Sequence, residues 1–387
     1  MTAQTYTILK KRKWFPEAFS SIKDFKLKKS PVFAAEKILQ NPDISLYCAD
    51  FKNQQAVFVE TPKGLDLTSH PFFYLAQYKH AIKIITVSFT ELNKLAEELP
   101  KPEQNMIFLY TMGRAGSTLL SKMFESDDNT ISLSEPDIFT DFIARLKESP
   151  NTKAETEKIF LSCMKILFSC SITKQNRNIL IKPRGACIEI WKTIHKTFPQ
   201  SKIIFLYRNA KPVIESYMKA FLVWRIFSPL VNLKLSKLII KFFMARNMNQ
   251  IKILFPHFDK HHLDTMGKTG LHGVILIIWL SIMKTYSALS KKTESIALIY
   301  EDLISNPKEI ISKLFEYCDI SQSSINNALE ALKKDSQEGT RMSGATVRKK
   351  QMHVKELNLR HINLILNPEE EINKIDYIIP GTIRPEN

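Results

Sequence analysis

Phe108-Leu-Tyr-Thr-Met-Gly-Arg-Ala-Gly-Ser-Thr-Leu-Leu120 is the stretch on which the reading of this chain turns. Met106 to Tyr110 is a short apolar run of strand length, and Leu119, Leu120 and Met123 recur at helical spacing. Between them lies Gly113-Arg-Ala-Gly-Ser-Thr118. Glycines let a backbone pass close to a ligand, and the free N–H groups of a helix start point at it. Ser117 and Thr118 add hydroxyl donors, and Arg114 adds a permanent positive charge. A bare strand-to-helix turn needs none of these three, so the loop reads as an anion cradle. It departs from the Walker A pattern, because the lysine that grips β- and γ-phosphates is missing.

Outward from the loop, short strands and helices alternate, which predicts a parallel sheet covered by helices. Ile179 to Ile181 and Lys202 to Tyr207 read as further strands, with a helix from Ala186 to Thr197 between them that Phe198-Pro199 breaks. Ile296 to Tyr300 is another strand, followed by a helix opening at Asn306-Pro307. Before residue 100 the pattern changes. Ile44 to Asp50 and Ala56 to Glu60 flank a polar turn and predict a hairpin, Ile82 to Phe89 is a β-branched run, and Ser88-Phe-Thr-Glu91 reads as a capping box. Pro100 to Asn105 marks a boundary, dividing the chain into an accessory region, 1–100, and a main domain, 101–387. Ala220 to His262 is basic and aromatic, with Trp224, Arg225, Lys234, Lys237, Lys241 and Arg246, and predicts a helical insertion at about 220–270. His257, His261 and His262 at its end lack local metal-ligand partners and read as surface histidines.

The loop resembles the 5′-phosphosulfate loop of sulfotransferases in its GRSGSTLL form, with alanine at position 115 as the only change in that octet. A second stretch, Phe198 to Asn209 followed by Ser216-Tyr217, resembles the family's 3′-phosphate-binding segment, in which an arginine ends a strand and a serine follows on the next helix. Arg208 and Ser216 have that spacing, and an arginine fork with a hydroxyl suits a phosphate dianion. A third, Ile299-Tyr-Glu-Asp-Leu303 with Asn306-Pro307, is similar to a segment near the family's C-terminal core, and Tyr300 there is a candidate either to face the adenine or to pack in the core at a strand end. The resemblance spans roughly 105–320. It implies a P-loop NTPase-like α/β fold, a central parallel sheet flanked by helices, with an N-terminal α+β addition and the helical insertion. It also implies a donor, 3′-phosphoadenosine 5′-phosphosulfate (PAPS), held by Gly113, Arg114, Ala115, Gly116, Ser117, Thr118, Arg208, Ser216 and Tyr300, whose sulfuryl group passes to an acceptor hydroxyl.

Such a transfer needs a base for the acceptor and a cation for the departing oxygen. The resemblance implies a histidine or a Glu-Pro step for the base; no histidine lies between His80 and His195, and Glu135 in Ser132-Leu-Ser-Glu135-Pro136 matches the Glu-Pro step, with a dipole-stabilised helix-start carboxylate as its plain alternative. Lys182, closing a strand in Lys182-Pro183-Arg184, resembles a Lys-x-Pro step of the family and is the candidate acid beside Arg114, a solvated strand-end lysine being the equal alternative, and Arg184 is a candidate contact to donor or acceptor. The family often closes its site with a C-terminal basic loop; Ser336, Arg341 and Arg348-Lys349-Lys350 are candidates for that part. No divalent metal is expected.

Bulk properties are consistent with this and exclude little. The chain has 55 Lys plus Arg against 39 Asp plus Glu, a net charge of +16, which favours an anionic partner. The acceptor is read as a small-molecule, carbohydrate or lipid hydroxyl, not nucleic acid, with peripheral membrane contact through the insertion as a lesser expectation. Five cysteines without a CxxC pair, and no apolar run after the N-terminal lysines, point to a reduced, cytoplasmic protein. The most apolar stretch, Gly273 to Met283, reads as a buried helix. Two rival readings stay open: a P-loop kinase or NTPase with Asp302 as a Walker B aspartate, and a non-catalytic anion-binding protein.

Overall fold

The computed structural model describes residues 1–13, 18–147, 150–171, 177–223, 242, 245–246, 248–334 and 359–386. They divide into two compact units, Met1–Ile107 with Asp128–Ser201, and Phe108–Asp127 with Lys202–Asn387.

The first unit opens with a five-stranded sheet built from β1 (Thr2–Lys11), β2 (Phe25–Ala34), β3 (Ile44–Asp50), β4 (Gln55–Glu60) and β5 (Lys83–Ser88), in the order β2-β1-β5-β4-β3. Every pairing is antiparallel, and β3 and β4 form the expected hairpin. Apolar runs Ile44–Ala49 and Ala56–Val59 put β3 and β4 in the core with Phe25, Tyr47 and Ile84. The lysine-rich β2 is left at an edge. Ser88 caps helix α1 (Phe89–Glu97) by accepting from the Glu91 N–H at 3.2 Å. Helix α2 (Pro150–Ser171) is tied to α1, Ser162 bonding Asn93 at 2.7 Å and Lys165 reaching the Leu99 carbonyl at 2.7 Å. The unit also holds β7 (Thr130–Ser134) and β8 (Asn178–Lys182), paired in parallel with Ser134 opposite Lys182.

In the second unit β9 (Lys202–Tyr207), β10 (Ile296–Ile299) and the short β11 (Thr382–Ile383) pair in parallel. The loop strand β6 (Asn105–Thr111) belongs to both units, its residues to Ile107 counting with the first and those from Phe108 with the second. The second sheet has the order β11-β10-β9-β6-β8-β7, the parallel, helix-flanked sheet that the alternation predicts. Met106 to Tyr110 are all buried, as a central parallel strand requires.

The apolar stretch is helix Leu271–Ser290, long and apolar enough by composition to cross a membrane, but 78% of its most apolar 18-residue window is buried inside the protein. Trp279, Leu280, Met283 and Tyr286 form its buried side, and Tyr286 stacks on Phe205 of β9 with ring centroids 4.1 Å apart. Of the insertion, helices Met248–Leu254 and Lys260–Thr269 are described and Arg246 is exposed, while Trp224, Arg225, Lys234, Lys237 and Lys241 lie outside the described residues. So do Ser336, Arg341 and Arg348 to Lys350. One expectation is corrected: His262 is buried, its Nδ1 2.9 Å from Asp259 Oδ1 and its Nε2 3.6 Å from Glu369. Burial lowers the His262 pKa, and the Asp259 and Glu369 carboxylates, the second at long range in sequence, oppose that shift. Among the described residues no group of His, Cys, Asp or Glu is arranged to hold a metal ion. Cys48, Cys163, Cys187 and Cys318 are buried and in no disulfide.

Candidate active site

In the second unit, β6 ends at Thr111 and helix α3 (Ser117–Phe124) begins five residues after Met112, so the loop between them makes a tight reversal. Gly113, Arg114 and Gly116 all have positive φ, 73°, 56° and 84°. Left-handed residues of this kind turn neighbouring N–H groups into a concavity that suits an anion. The two glycines are also fixed by packing. A Cβ on Gly113 would collide with the Tyr217 hydroxyl, and one on Gly116 with the Tyr300 ring. Ser117 and Thr118 are buried at the helix start, beneath the N–H groups. Ala115 is fully buried, where a serine hydroxyl would need a partner of its own.

Two segments far apart in sequence meet at this loop. Arg114 Nε donates to Ser216 Oγ at 2.8 Å across a separation of 102 residues, and the neighbouring Tyr217 hydroxyl donates to the Met112 carbonyl at 3.1 Å. Ser216 lies on helix α4 (Ala210–Val223). Burial lowers the Arg114 pKa, Tyr217 opposes that, and the charge of Arg208 adds to it. Among the described residues no carboxylate pairs with Arg114. Arg208, just past β9, stands with its guanidinium 4.5 Å from the Tyr300 ring centroid and its Nε 3.2 Å from Glu301, while its carbonyl accepts from Trp279 Nε1 at 2.9 Å. The structure therefore gathers Gly113 to Thr118, Arg208, Ser216 and Tyr300 in one unit. Tyr217, Glu301 and Trp279 are the residues that sequence reasoning gave no role. Tyr217 and Glu301 left a signal, by adjacency to Ser216 and Tyr300; Trp279 left none.

The remaining candidates lie in the first unit. Glu135 follows β7 with φ 57°, a left-handed conformation that costs a non-glycine residue about 1–2 kcal/mol. Its N–H donates to the Lys182 carbonyl at 2.6 Å, and its Oε1 stands 3.4 Å from Lys182 Nζ. Lys182 is 1% exposed in its side chain and Glu135 22%. Lys182 Nζ is also 5.3 Å from the Phe72 ring centroid. Arg184 is held by Asp137, Nε to Oδ1 at 2.7 Å and Nη2 to Oδ2 at 3.2 Å. Burial by itself would lower the Arg184 pKa; the Asp137 charge, with Tyr74 and Glu135, reverses this and raises it. Asp302, the Walker B candidate, belongs instead to the second unit, where Arg384 engages it at 2.5 Å.

The sulfotransferase domain family model matches residues 104–362. The chain belongs to this family, and the resemblance read from the loop and the Arg208 segment is borne out. Similar solved structures are the sulfotransferase domain from the curacin biosynthetic pathway (15% identity, 64% of this chain and 83% of that one, TM-score 0.38) and that from the Synechococcus PCC 7002 olefin synthase (15%, 70% and 98%, 0.37). Another is the sulfotransferase STF1 from Mycobacterium tuberculosis H37Rv (11%, 67% and 80%, 0.37). None of the curated proteins matches the sequence. Sulfotransfer is the activity that family membership assigns to the chain.

Proposed function

We propose that the chain transfers the sulfuryl group of PAPS to a hydroxyl of a small-molecule, carbohydrate or lipid acceptor, and that it works in a cytoplasm without a divalent metal. The observation that carries this reading is the Arg114–Ser216 hydrogen bond, which joins the loop to the segment read as a 3′-phosphate site. A donor with phosphate at both the 5′ and 3′ positions is the ligand that uses both at once. The residues fit it: left-handed glycines open the backbone N–H groups, two buried hydroxyls stand at a helix start, and Arg114 has no carboxylate partner among the described residues.

In this reading PAPS supplies an activated sulfuryl group with a good leaving oxygen. Gly113 to Thr118 hold the 5′ side, Arg208 and Ser216 hold the 3′-phosphate, and Tyr300 offers a ring face to the adenine. Glu135 takes the acceptor's proton as the new oxygen–sulfur bond forms. Lys182 and Arg114 neutralise the oxygen that leaves with the electron pair of the breaking bond. Residues 1–100 act as an accessory region to the domain at 101–387. The kinase reading is weaker, for it leaves the Walker lysine without a counterpart and needs Asp302, which Arg384 engages.

Calorimetry with adenosine 3′,5′-bisphosphate, AMP and magnesium ATP tests this. The bisphosphate is expected to bind at least about tenfold more tightly than AMP, and Arg208→Ala to remove most of that margin, as loss of a charge-assisted contact of about 1.5–3 kcal/mol implies. Equal affinity for the bisphosphate and AMP would falsify the donor assignment.

A further inference from the structure

The ends of β7 and β8 carry matching tripeptides, Glu135-Pro136-Asp137 and Lys182-Pro183-Arg184. With Ser134 opposite Lys182, the parallel register sets acid against base twice. Lys182 meets Glu135, and two residues on Arg184 meets Asp137. Each proline between the charged residues fixes its own φ, so the second charged residue of a tripeptide is stiffly placed relative to the first.

The two rungs differ in how firmly they are built. The Arg184–Asp137 rung is bidentate, and the Asp137 side chain is completely buried. Asp137 also accepts from the Ser20 N–H at 2.5 Å and from Thr140 Oγ1 at 3.1 Å. The Arg184 guanidinium lies 4.1 Å from the Tyr74 ring centroid and 5.2 Å from that of Phe19. The Lys182–Glu135 rung is longer, 3.4 Å, and half-open on the glutamate side, on a backbone held at φ 57°. A left-handed glutamate persists only where its surroundings over-determine it.

We propose that the Arg184–Asp137 rung is a positioning device that sets the geometry of Lys182 and Glu135. Phe19, Ser20 and Tyr74, all before the stretch that the family model matches, are working parts of it. The inference rests on the roles given to Glu135 and Lys182 above. It gives the accessory region a role, since that region closes the buried end of the outer rung and the prolines pass the resulting rigidity to the inner one.

The test reads position directly. Intact protein is treated with a limiting acylating ester, and the labelling rate of each lysine is followed by mass spectrometry. Lys182 is 1% exposed in its side chain and is expected to react slowly. In Asp137→Asn, which keeps the shape but not the charge, Lys182 labelling is expected to rise about tenfold, the effect of losing a buried charged partner. Lys165, fastened to the Ala96 and Leu99 carbonyls, should stay unchanged as an internal control. Arg184→Lys retains the charge without the fork and should give a smaller rise. Unchanged Lys182 labelling in both variants overturns the inference, and so does an equal rise at Lys165, which would mean general loosening. Bisphosphate binding by the wild-type protein is measured alongside. Its absence removes the donor reading alone, because the labelling reports on the rungs whether or not PAPS is the donor.

Discussion

The Gly113–Thr118 loop of the second unit and the strand ends of the first both concentrate charge, and they handle it in opposite ways. At the loop Arg114 has, among the described residues, a hydroxyl for a partner and no carboxylate, while the nearby Arg208 is paired with Glu301 at 3.2 Å. At the strand ends Lys182 and Arg184 are answered by Glu135 and Asp137, and nearby the buried Lys13 is answered by Asp24 at 3.5 Å. A buried charge without a counter-charge is costly unless a ligand brings one. The loop is therefore arranged for an anion from outside, while the strand ends hold their charges in register against one another. Shape follows the same division. Backbone conformation makes the loop, and side-chain pairing makes the strand ends.

The largest expected effect breaks the loop. Gly116→Ala places a Cβ into the Tyr300 ring at φ 84°, so the loop must rearrange. Bisphosphate binding should vanish in calorimetry, while the far-ultraviolet circular dichroism of the antiparallel sheet persists. Binding at wild-type strength would mean that the loop conformation is not what makes the site.

Glu135→Gln sharpens the other side. The amide keeps the size but cannot take a proton, and kcat should fall by roughly 10²–10⁴-fold, the usual weight of a general base. Bisphosphate affinity, resting on the loop and Arg208, should change less than about twofold. Near-normal turnover in steady-state assays would reduce Glu135 to a structural partner of Lys182.

The smallest effect concerns Lys13, whose side chain is 1% exposed and whose amine lies 5.3 to 5.9 Å from the ring centroids of Tyr47, Tyr74 and Tyr78. Burial lowers its pKa from the usual 10.5, against the pull of Asp24. Between that lowered value and 10.5 the unfolded chain holds more proton at this site than the folded one. Stability relative to Lys13→Met should therefore rise with pH across that window. Denaturant titrations of both proteins at pH 8 and pH 10 check the sign, and a difference that falls or stays flat refutes it.

How much of this the sequence disclosed depends on whether the cause was local. The cradle was legible because strand, glycines and helix start are contiguous from Met106 to Met123. The Ser88 cap and the β3–β4 hairpin were legible for the same reason. The ten-residue strands β1 and β2 escaped notice, since Lys10, Lys26, Lys28 and Lys29 on an exposed ribbon hide the apolar alternation. The short β7, Thr-Ile-Ser-Leu-Ser, has too few apolar residues to announce a buried strand. The Arg184–Asp137 rung required the register of β7 on β8, and the burial of His262 beside Glu369 required the tertiary fold, so neither could be seen in a local window.

Tyr217 and Tyr300 alter what the loop's glycines mean. Each tyrosine fills the space that a side chain on its glycine would take, 104 and 184 positions apart in the sequence for Gly113–Tyr217 and Gly116–Tyr300. Glycine and tyrosine thus form two locks with separate keys. A matching reduction at the tyrosine, Tyr217→Leu for Gly113→Ala for instance, relieves the collision but leaves the strain of a side chain at φ 73°, so it is expected to restore the loop only in part. For a redesigner the motif has eight contiguous letters and two distant ones, and the distant pair sets which of the eight are free to vary.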